Sequence, residues 1–385
     1  GAIMQREFLR QLPGQSLNHQ SNSFLARFHL DTPLLLCLLL LASFGLFVLY
    51  SATNGSMNAV TGQATRVGIG FICLLVLAQI PPRAFRFWAP VLYSIGLVLL
   101  LLVLLVGTQR KGAQRWLTIP GVAQFQPAEL MKVVVPAMVA WYFHERQLPA
   151  RFRDVVAALA ITGIPAAMIA LQPDLGTALL VAVSGLIVLF IAGLSWRLIL
   201  LAASSAAVAA PLAYFFAMHD YQRRRVDTFF NPEADPLGAG WNIIQSKTAI
   251  GSGGLSGKGW LNGTQSRLDF LPESSTDFIF AVLGEELGFL GFSILIALYL
   301  GIVLRSLFIS YQAQDNFARL ISAALGLTFF VYVVVNIGMV TGLLPVVGVP
   351  LPLVSYGGTS IITLLASFGI LMSVKTHRKM HIHSS

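Results

Sequence analysis

The strongest constraint on this chain is a succession of ten apolar blocks, at 33–50, 64–80, 87–106, 128–143, 154–171, 176–193, 196–217, 278–304, 320–341 and 358–374, each flanked by Pro, Gly or charge. A helix rising 1.5 Å per residue crosses the hydrocarbon of a bilayer in roughly 17–25 residues, and most of the blocks have that length. In lipid the backbone must pair its N–H and C=O groups within the protein, so continuous apolar blocks of this size fold as helices. A soluble helical protein would carry apolar stripes instead. With 56% hydrophobic and 11% charged residues, the chain is predicted to be an all-α polytopic membrane protein of about ten transmembrane helices.

Residues 1–32 form a polar N-terminal tail, of which Gly1-Ala2-Ile3, ahead of Met4, reads as a cloning remnant. Residues 33–374 form a single membrane domain, interrupted between the seventh and eighth spans by a long polar loop at 218–277, and 375–385 form a C-terminal tail. The first apolar block begins too late for a typical signal peptide and is read as an uncleaved span. No internal repeat relates the two halves, which weakens an inverted-repeat transporter architecture. Cys37 and Cys73 lie inside apolar blocks, as small buried hydrophobes do. His377, His381 and His383 read as a solvated tail rather than a metal site.

Lys and Arg set the orientation. Of 25 such residues, 14 fall on the side of the N-terminus, six in the long loop and five elsewhere on the far side. Long segments translocate with little regard to charge, so the comparison that counts is 14 against five. The expectation is N-in and C-in, with the long loop outside. The net charge of +9 then follows from the inner-face bias and contact with membrane lipids, and calls for no nucleic acid.

Charged residues at or inside the spans are the candidates for chemistry, because an ionisable group in a membrane helix costs roughly 2.5–3.5 kcal/mol to insert. Asp277 stands where the long loop meets the eighth span; it either caps that helix or offers a carboxylate at the water–lipid boundary. On an ideal helix Glu285 is about 80° round and about 12 Å along from Asp277, so both could line one cavity. Glu286, about 180° round, needs a separate partner, for which a buried ion pair is favoured. Glu129 and Lys132 share a helix face at i, i+3 and form either a local ion pair or a site for an anionic head group. Arg66, near the start of the second span, is a further cation at the outer boundary. Arg115 and Trp116, with Arg110 and Lys111 upstream, are either interfacial anchors or a diphosphate site.

Asp174, just ahead of the sixth span, reads as a helix cap. Arg223, Arg224 and Arg225 form a basic cluster at the outer interface, solvated or phosphate-binding. The glycines at 251–259 fail as a phosphate loop, which needs Gly at 252 and Ser or Thr at 259, where the chain has Ser252 and Gly259. That segment reads as a flexible loop, a moving cover over the site.

Several of these stretches carry a resemblance. Thr276-Asp277-Phe278-Ile279-Phe280-Ala281, Glu285-Glu286-Leu287-Gly288, Ile250-Gly251-Ser252-Gly253-Gly254-Leu255, Gln172-Pro173-Asp174-Leu175-Gly176-Thr177 and Gly348-Val349-Pro350-Leu351-Pro352-Leu353-Val354-Ser355-Tyr356-Gly357-Gly358 resemble the SEDS family (shape, elongation, division and sporulation). The likeness runs from about Asp31 onward with no departure at these motifs. Met218-His219-Asp220-Tyr221-Gln222-Arg223 and Leu344-Pro345-Val346-Val347-Gly348 place it in the elongation branch rather than the division branch.

The resemblance implies a ten-span glycosyltransferase of the bacterial inner membrane, facing the periplasm, that polymerises lipid II beside a class B penicillin-binding protein and the elongation machinery. The family's essential acid falls on Asp277, its span-four Glu and Lys on Glu129 and Lys132, its Gln-Arg-Trp segment on Arg115 and Trp116, and a basic position on Arg66. Converting an α-linked diphosphate into a β-glycosidic bond suggests a single displacement with an oxocarbenium-like transition state. Asp277 would be the base, with Arg66, Arg115, Lys132 and Arg223 as candidates for the diphosphate and Glu129 orienting Lys132. A divalent cation (Mg or Mn) could share that work, although no dedicated ligand cluster is visible in the sequence. A lipid II flippase and a non-catalytic scaffold for the penicillin-binding protein are the alternatives.

Overall fold

The computed structural model describes residues 29–110, 113–117, 126–216, 218, 220–231, 239–264 and 274–377. The N-terminal tail to residue 28, the C-terminal tail from 378, the Arg267 position and the 270–273 part of the acid-bearing motif lie outside the described residues. Each apolar block lies in a helix of its own: α1 (Thr32–Ala52), α2 (Met57–Gln79), α3 (Pro82–Val106), α4 (Pro127–Phe143), α5 (Phe152–Leu171), α6 (Leu175–Ile191) and α7 (Trp196–Phe216) before the long loop. After it come α10 (Ile279–Tyr311), α11 (Asn316–Val340) and α12 (Thr359–Thr376). Seven of these, α1, α2, α3, α5, α10, α11 and α12, are long and apolar enough to cross a membrane. Among the described residues the only strands form a hairpin, β1 (Thr108–Arg110) with β2 (Ala113–Trp116), ahead of α4.

The helix starts follow ordinary capping chemistry. Asp31, Ser56, Asp174 and Asp315 each accept a backbone N–H of the first turn of α1, α2, α6 and α11. Helix α11 lies in the middle of the bundle and is largely buried. An edge-to-face chain of Tyr299, Phe329 and Phe368, with centroids 5.6 and 5.0 Å apart, ties it to α10 and α12. Both ends of the described chain meet at one end of the bundle, where His29 stacks on His377 at 4.1 Å and Arg305 holds Asp31.

The long loop is more ordered than its polarity predicts. It contains α8 (Asp220–Phe230) and α9 (Ala239–Gly253). Helix α9 docks through Ile243, Ser246, Ala249 and Gly253, a stripe at helical spacing; the Ser246 hydroxyl donates to the Val340 carbonyl at 2.7 Å.

The glycine-rich stretch after α9 corrects the expectation of a moving cover. In an unbroken α10 the amides of Phe289 and Leu290 would donate to the carbonyls of Glu285 and Glu286. Gly288, at φ 60°, breaks the helix there. The two amides donate to Gly254 and Leu255, and the two carbonyls accept from Lys258 and Gly259, all at 3.0–3.1 Å. The loop is inserted into the helix ladder, so backbone meets backbone and side chains are excluded. Gly257, at φ +77°, would place a Cβ 2.0 Å from the Glu286 carbonyl oxygen. Gly257→Ala is therefore expected to cost at least about 1–3 kcal/mol from the left-handed backbone alone. It should lower the thermal midpoint, whereas Gly251→Ala, with nothing within 4 Å, should not; equal midpoints for the two variants would contradict the insertion.

The two glutamates beside this break serve it. Glu285, fully buried, accepts from Lys258 Nζ at 2.7 Å and from the amide and hydroxyl of Thr264 at 2.8 and 2.9 Å. Glu286 accepts from the Ser51 hydroxyl at 2.6 Å and the Gly263 amide at 3.3 Å. This corrects two expectations. Glu285 faces the inserted loop rather than a cavity shared with Asp277, because the kink at Gly288 and the approach of 254–264 give it a cation and two donors there. Glu286 is satisfied by a hydroxyl and an amide rather than by an ion pair.

Candidate active site

The segment 344–358 is irregular backbone inside the bundle, with Leu351, Leu353 and Val354 buried. Non-helical backbone at that depth is tolerated only where protein or a wet cavity satisfies it. Here side chains from the surrounding helices do so. Gln63 of α2 donates to the Ser355 carbonyl at 2.8 Å, Tyr299 of α10 to that of Pro352 at 2.7 Å, and Asn336 of α11 to that of Val349 at 2.8 Å.

The same segment fixes the acid. Three consecutive carbonyls leading into α10 are each held: Ser275 by the Tyr356 amide at 2.8 Å, Thr276 by the Ser355 hydroxyl at 2.5 Å, and Asp277 by Asn336 Nδ2 at 2.9 Å. Asp277 stands one residue ahead of the cap position of α10, which is occupied by Phe278, a residue with no side-chain cap bond. Gly348 lies beside its carboxylate: a Cβ there would be 3.7 Å from Oδ2. The backbone of Asp277 is pinned while its side chain is half-buried on the wall of a cavity of about 510 Å3.

That cavity brings together Asp277, Glu129, Lys132 and Trp116 of the predicted residues, with Asp174, Gln126, Asn242 and Tyr356. Glu129 and Lys132, each 6% exposed, form the expected i, i+3 pair at 2.6 Å. The Lys132 ammonium also lies 5.2 Å from the Tyr332 ring centroid, while Glu129 Oε2 is buried without a hydrogen-bond partner. Asp174 caps α6 through the Thr177 amide as predicted and in addition accepts from Gln126 at 2.8 Å.

Arg66 sits well inside α2, which begins earlier than predicted, with its guanidinium 4.8 Å from the ring centroid of cavity-lining Tyr356. Its Nη1 is buried without a partner. Arg115 belongs to β2, next to Trp116; its side chain lies outside what is described. Arg223 is not among the residues lining the cavity. Its Nε and Nη2 donate to the carbonyls of Tyr214 and Phe215, both at 2.8 Å, where α7 ends and those acceptors have no helical partner.

Three contributors escaped the sequence reading. Gln63 and Asn336 are polar side chains within apolar helices, the kind of position that marks function or internal wiring in a membrane protein. Asn242, whose Oδ1 is buried without a partner, comes from α9, inside a stretch read as loop. The described residues contain no group of three or more His, Cys, Asp or Glu side chains able to hold a metal ion.

A bundle of apolar helices with a buried ion pair and an acid on a pinned turn beside a polar cavity is the form of a polytopic membrane protein with a built site. The model of the FtsW/RodA/SpoVE family, described as cell cycle protein, matches residues 31–380, and the chain belongs to that family. It is 52% identical over 363 residues to peptidoglycan glycosyltransferase MrdB of Escherichia coli (strain K12), covering 94% of this chain and 98% of the relative. In structure it is similar to a chain of a peptidoglycan synthase complex solved for its coordination of polymerization and crosslinking (TM-score 0.80, 31% identity, 91% and 98% coverage). It is also similar to the rod shape determining protein RodA of Thermus thermophilus (TM-score 0.69, 28% identity, 91% and 98% coverage).

Proposed function

We propose that this peptidoglycan glycosyltransferase polymerises lipid II during elongation, with Asp277 as general base. The observation that carries the reading is the pinned acid, which shares one cavity with a buried ammonium–carboxylate pair. The cavity, about 510 Å3, has the size of a small-molecule site, which typically runs from about 300 to 1,000 Å3. The GlcNAc 4-hydroxyl of one lipid II attacks C1 of the MurNAc of another. The new C–O bond forms as the bond from C1 to the diphosphate breaks; Asp277 takes the hydroxyl proton, and undecaprenyl diphosphate departs. The α-linkage becomes β, as in inverting displacements.

Lys132 meets the charge growing on the diphosphate, and Glu129 holds it in place. Arg66 and Arg115 are assigned to the same charge, and Trp116 to the cavity rim. Arg223 has no such role in this reading, since its guanidinium is committed to the end of α7.

The orientation we favour is N-in and C-in across about ten spans of the bacterial inner membrane, with the cavity towards the periplasm. In support, Arg86, Arg146, Arg305 and Lys375 lie at the end of the bundle where the described termini meet, and basic residues favour the cytoplasmic side. A class B penicillin-binding protein is the proposed partner. Purified protein with that partner and lipid II is expected to yield glycan strands. Movement of fluorescent lipid II across proteoliposomes without polymer would favour a flippase, and neither activity would favour a scaffold.

A further inference from the structure

A second cavity, of about 430 Å3, lies at the other end of α4 from Lys132 and is lined by Arg86, Trp141, Tyr142, His144, Glu145 and Arg146. At 1.5 Å per residue it is roughly 18 Å along the helix from the active-site pair. It sits at the end of the bundle that carries the His29–His377 stack, since Arg86 reaches Asp315 at 3.9 Å and neighbouring Gln312 accepts from Lys375.

Its lining sets two guanidinium groups beside an imidazole. Arg86 Nη1 lies 2.5 Å from His144 Nε2. A guanidinium only donates, so Nε2 must accept, and the neutral ring carries its proton on Nδ1. That nitrogen is buried and has no partner. None of the nearby carboxylates pairs with it. Asp154 is taken up by Arg146 at 2.7 Å, Asp315 stands 3.9 Å from Arg86, and Glu145 is exposed.

Aromatic residues surround the cations. Trp141 is partly exposed in the cavity wall, and Phe87 and Trp88, edge to face at 5.8 Å, are exposed next to Arg86. Cations with Trp at a helix end are the signature of the head-group level of a bilayer, and basic pockets between spans hold acidic lipid head groups.

We propose that this cavity binds the phosphate head group of an anionic phospholipid from the leaflet opposite the active site. The Arg86 guanidinium donates to the phosphate oxygens while His144 Nε2 holds it in place, Arg146 lines the same wall, and Trp141 packs beside the glycerol. The inference rests on the helices crossing a membrane and not on glycosyl transfer.

The test is native mass spectrometry of the full chain with phosphatidylglycerol, cardiolipin or phosphatidylethanolamine added, and with inorganic phosphate in a separate arm. Wild type should retain one anionic lipid in preference to phosphatidylethanolamine. Arg86→Gln combined with His144→Phe should weaken retention tenfold or more, and Arg86→Lys, which keeps the charge and loses the fork, should weaken it less. Arg197→Gln, an exposed cation at the same end of the bundle, should leave it unchanged. Should the double variant fail to fold, the Arg86→Lys and Arg197→Gln pair decides. Equal retention by those two, or no preference for acidic lipids, would overturn the site, and inorganic phosphate bound as tightly as lipid would overturn the lipid assignment.

Discussion

Asp277→Asn is expected to lower lipid II polymerisation by about 10²–10⁴-fold, the usual contribution of a general base, in a protein that remains folded. The amide has the shape of the carboxylate and cannot take the proton of the attacking hydroxyl. The bonds that fix this turn go to the backbone carbonyls of residues 275–277, from Tyr356, Ser355 and Asn336, and the substitution leaves all three in place. Thermal midpoint and co-purification with the partner should therefore match wild type while strand synthesis disappears. Activity within a few-fold of wild type would remove Asp277 from the chemistry.

Lys132→Met is the second large effect. It leaves Glu129 buried without its cation, and removing one partner of a buried pair costs about 3–5 kcal/mol. The thermal midpoint in detergent should fall sharply and polymerisation should be lost. Glu129→Leu combined with Lys132→Met separates structure from function, because replacing both charges by apolar groups of similar volume is often neutral for stability. The double variant should regain the midpoint and remain inactive. If it polymerised lipid II, the pair would be an internal brace and the diphosphate would need another cation.

What could be read from the sequence was what lipid imposes. Continuous apolar blocks left the backbone no choice but helix, so every block reappears as one, and the ion pair of Glu129 with Lys132 was one of the two readings that their shared i, i+3 face allowed. Asp174 as a cap was legible for the same local reason. What was not legible depends mostly on contacts distant in sequence. The glycines at 253–259 looked like a loose cover because nothing local reveals that Gly288 opens α10 to receive them. Glu285 was placed relative to an Asp277 that stands outside α10, and its partners come from Lys258 and Thr264 on the inserted loop. Arg223, read as either solvated or phosphate-binding, donates to the carbonyls at the end of α7. The turn that fixes Asp277 depends on Asn336 and on the 344–358 segment, and no periodicity brings those pieces together.

The role of Asp277 as base would be seen directly in a structure of the protein with a prenyl diphosphate-linked sugar bound. The diphosphate should lie against Lys132 and Arg66, and the accepting sugar hydroxyl within hydrogen-bond reach of the Asp277 carboxylate, roughly 2.6–3.2 Å. A ligand seated elsewhere in the bundle, with that carboxylate turned away from any sugar hydroxyl, would contradict it.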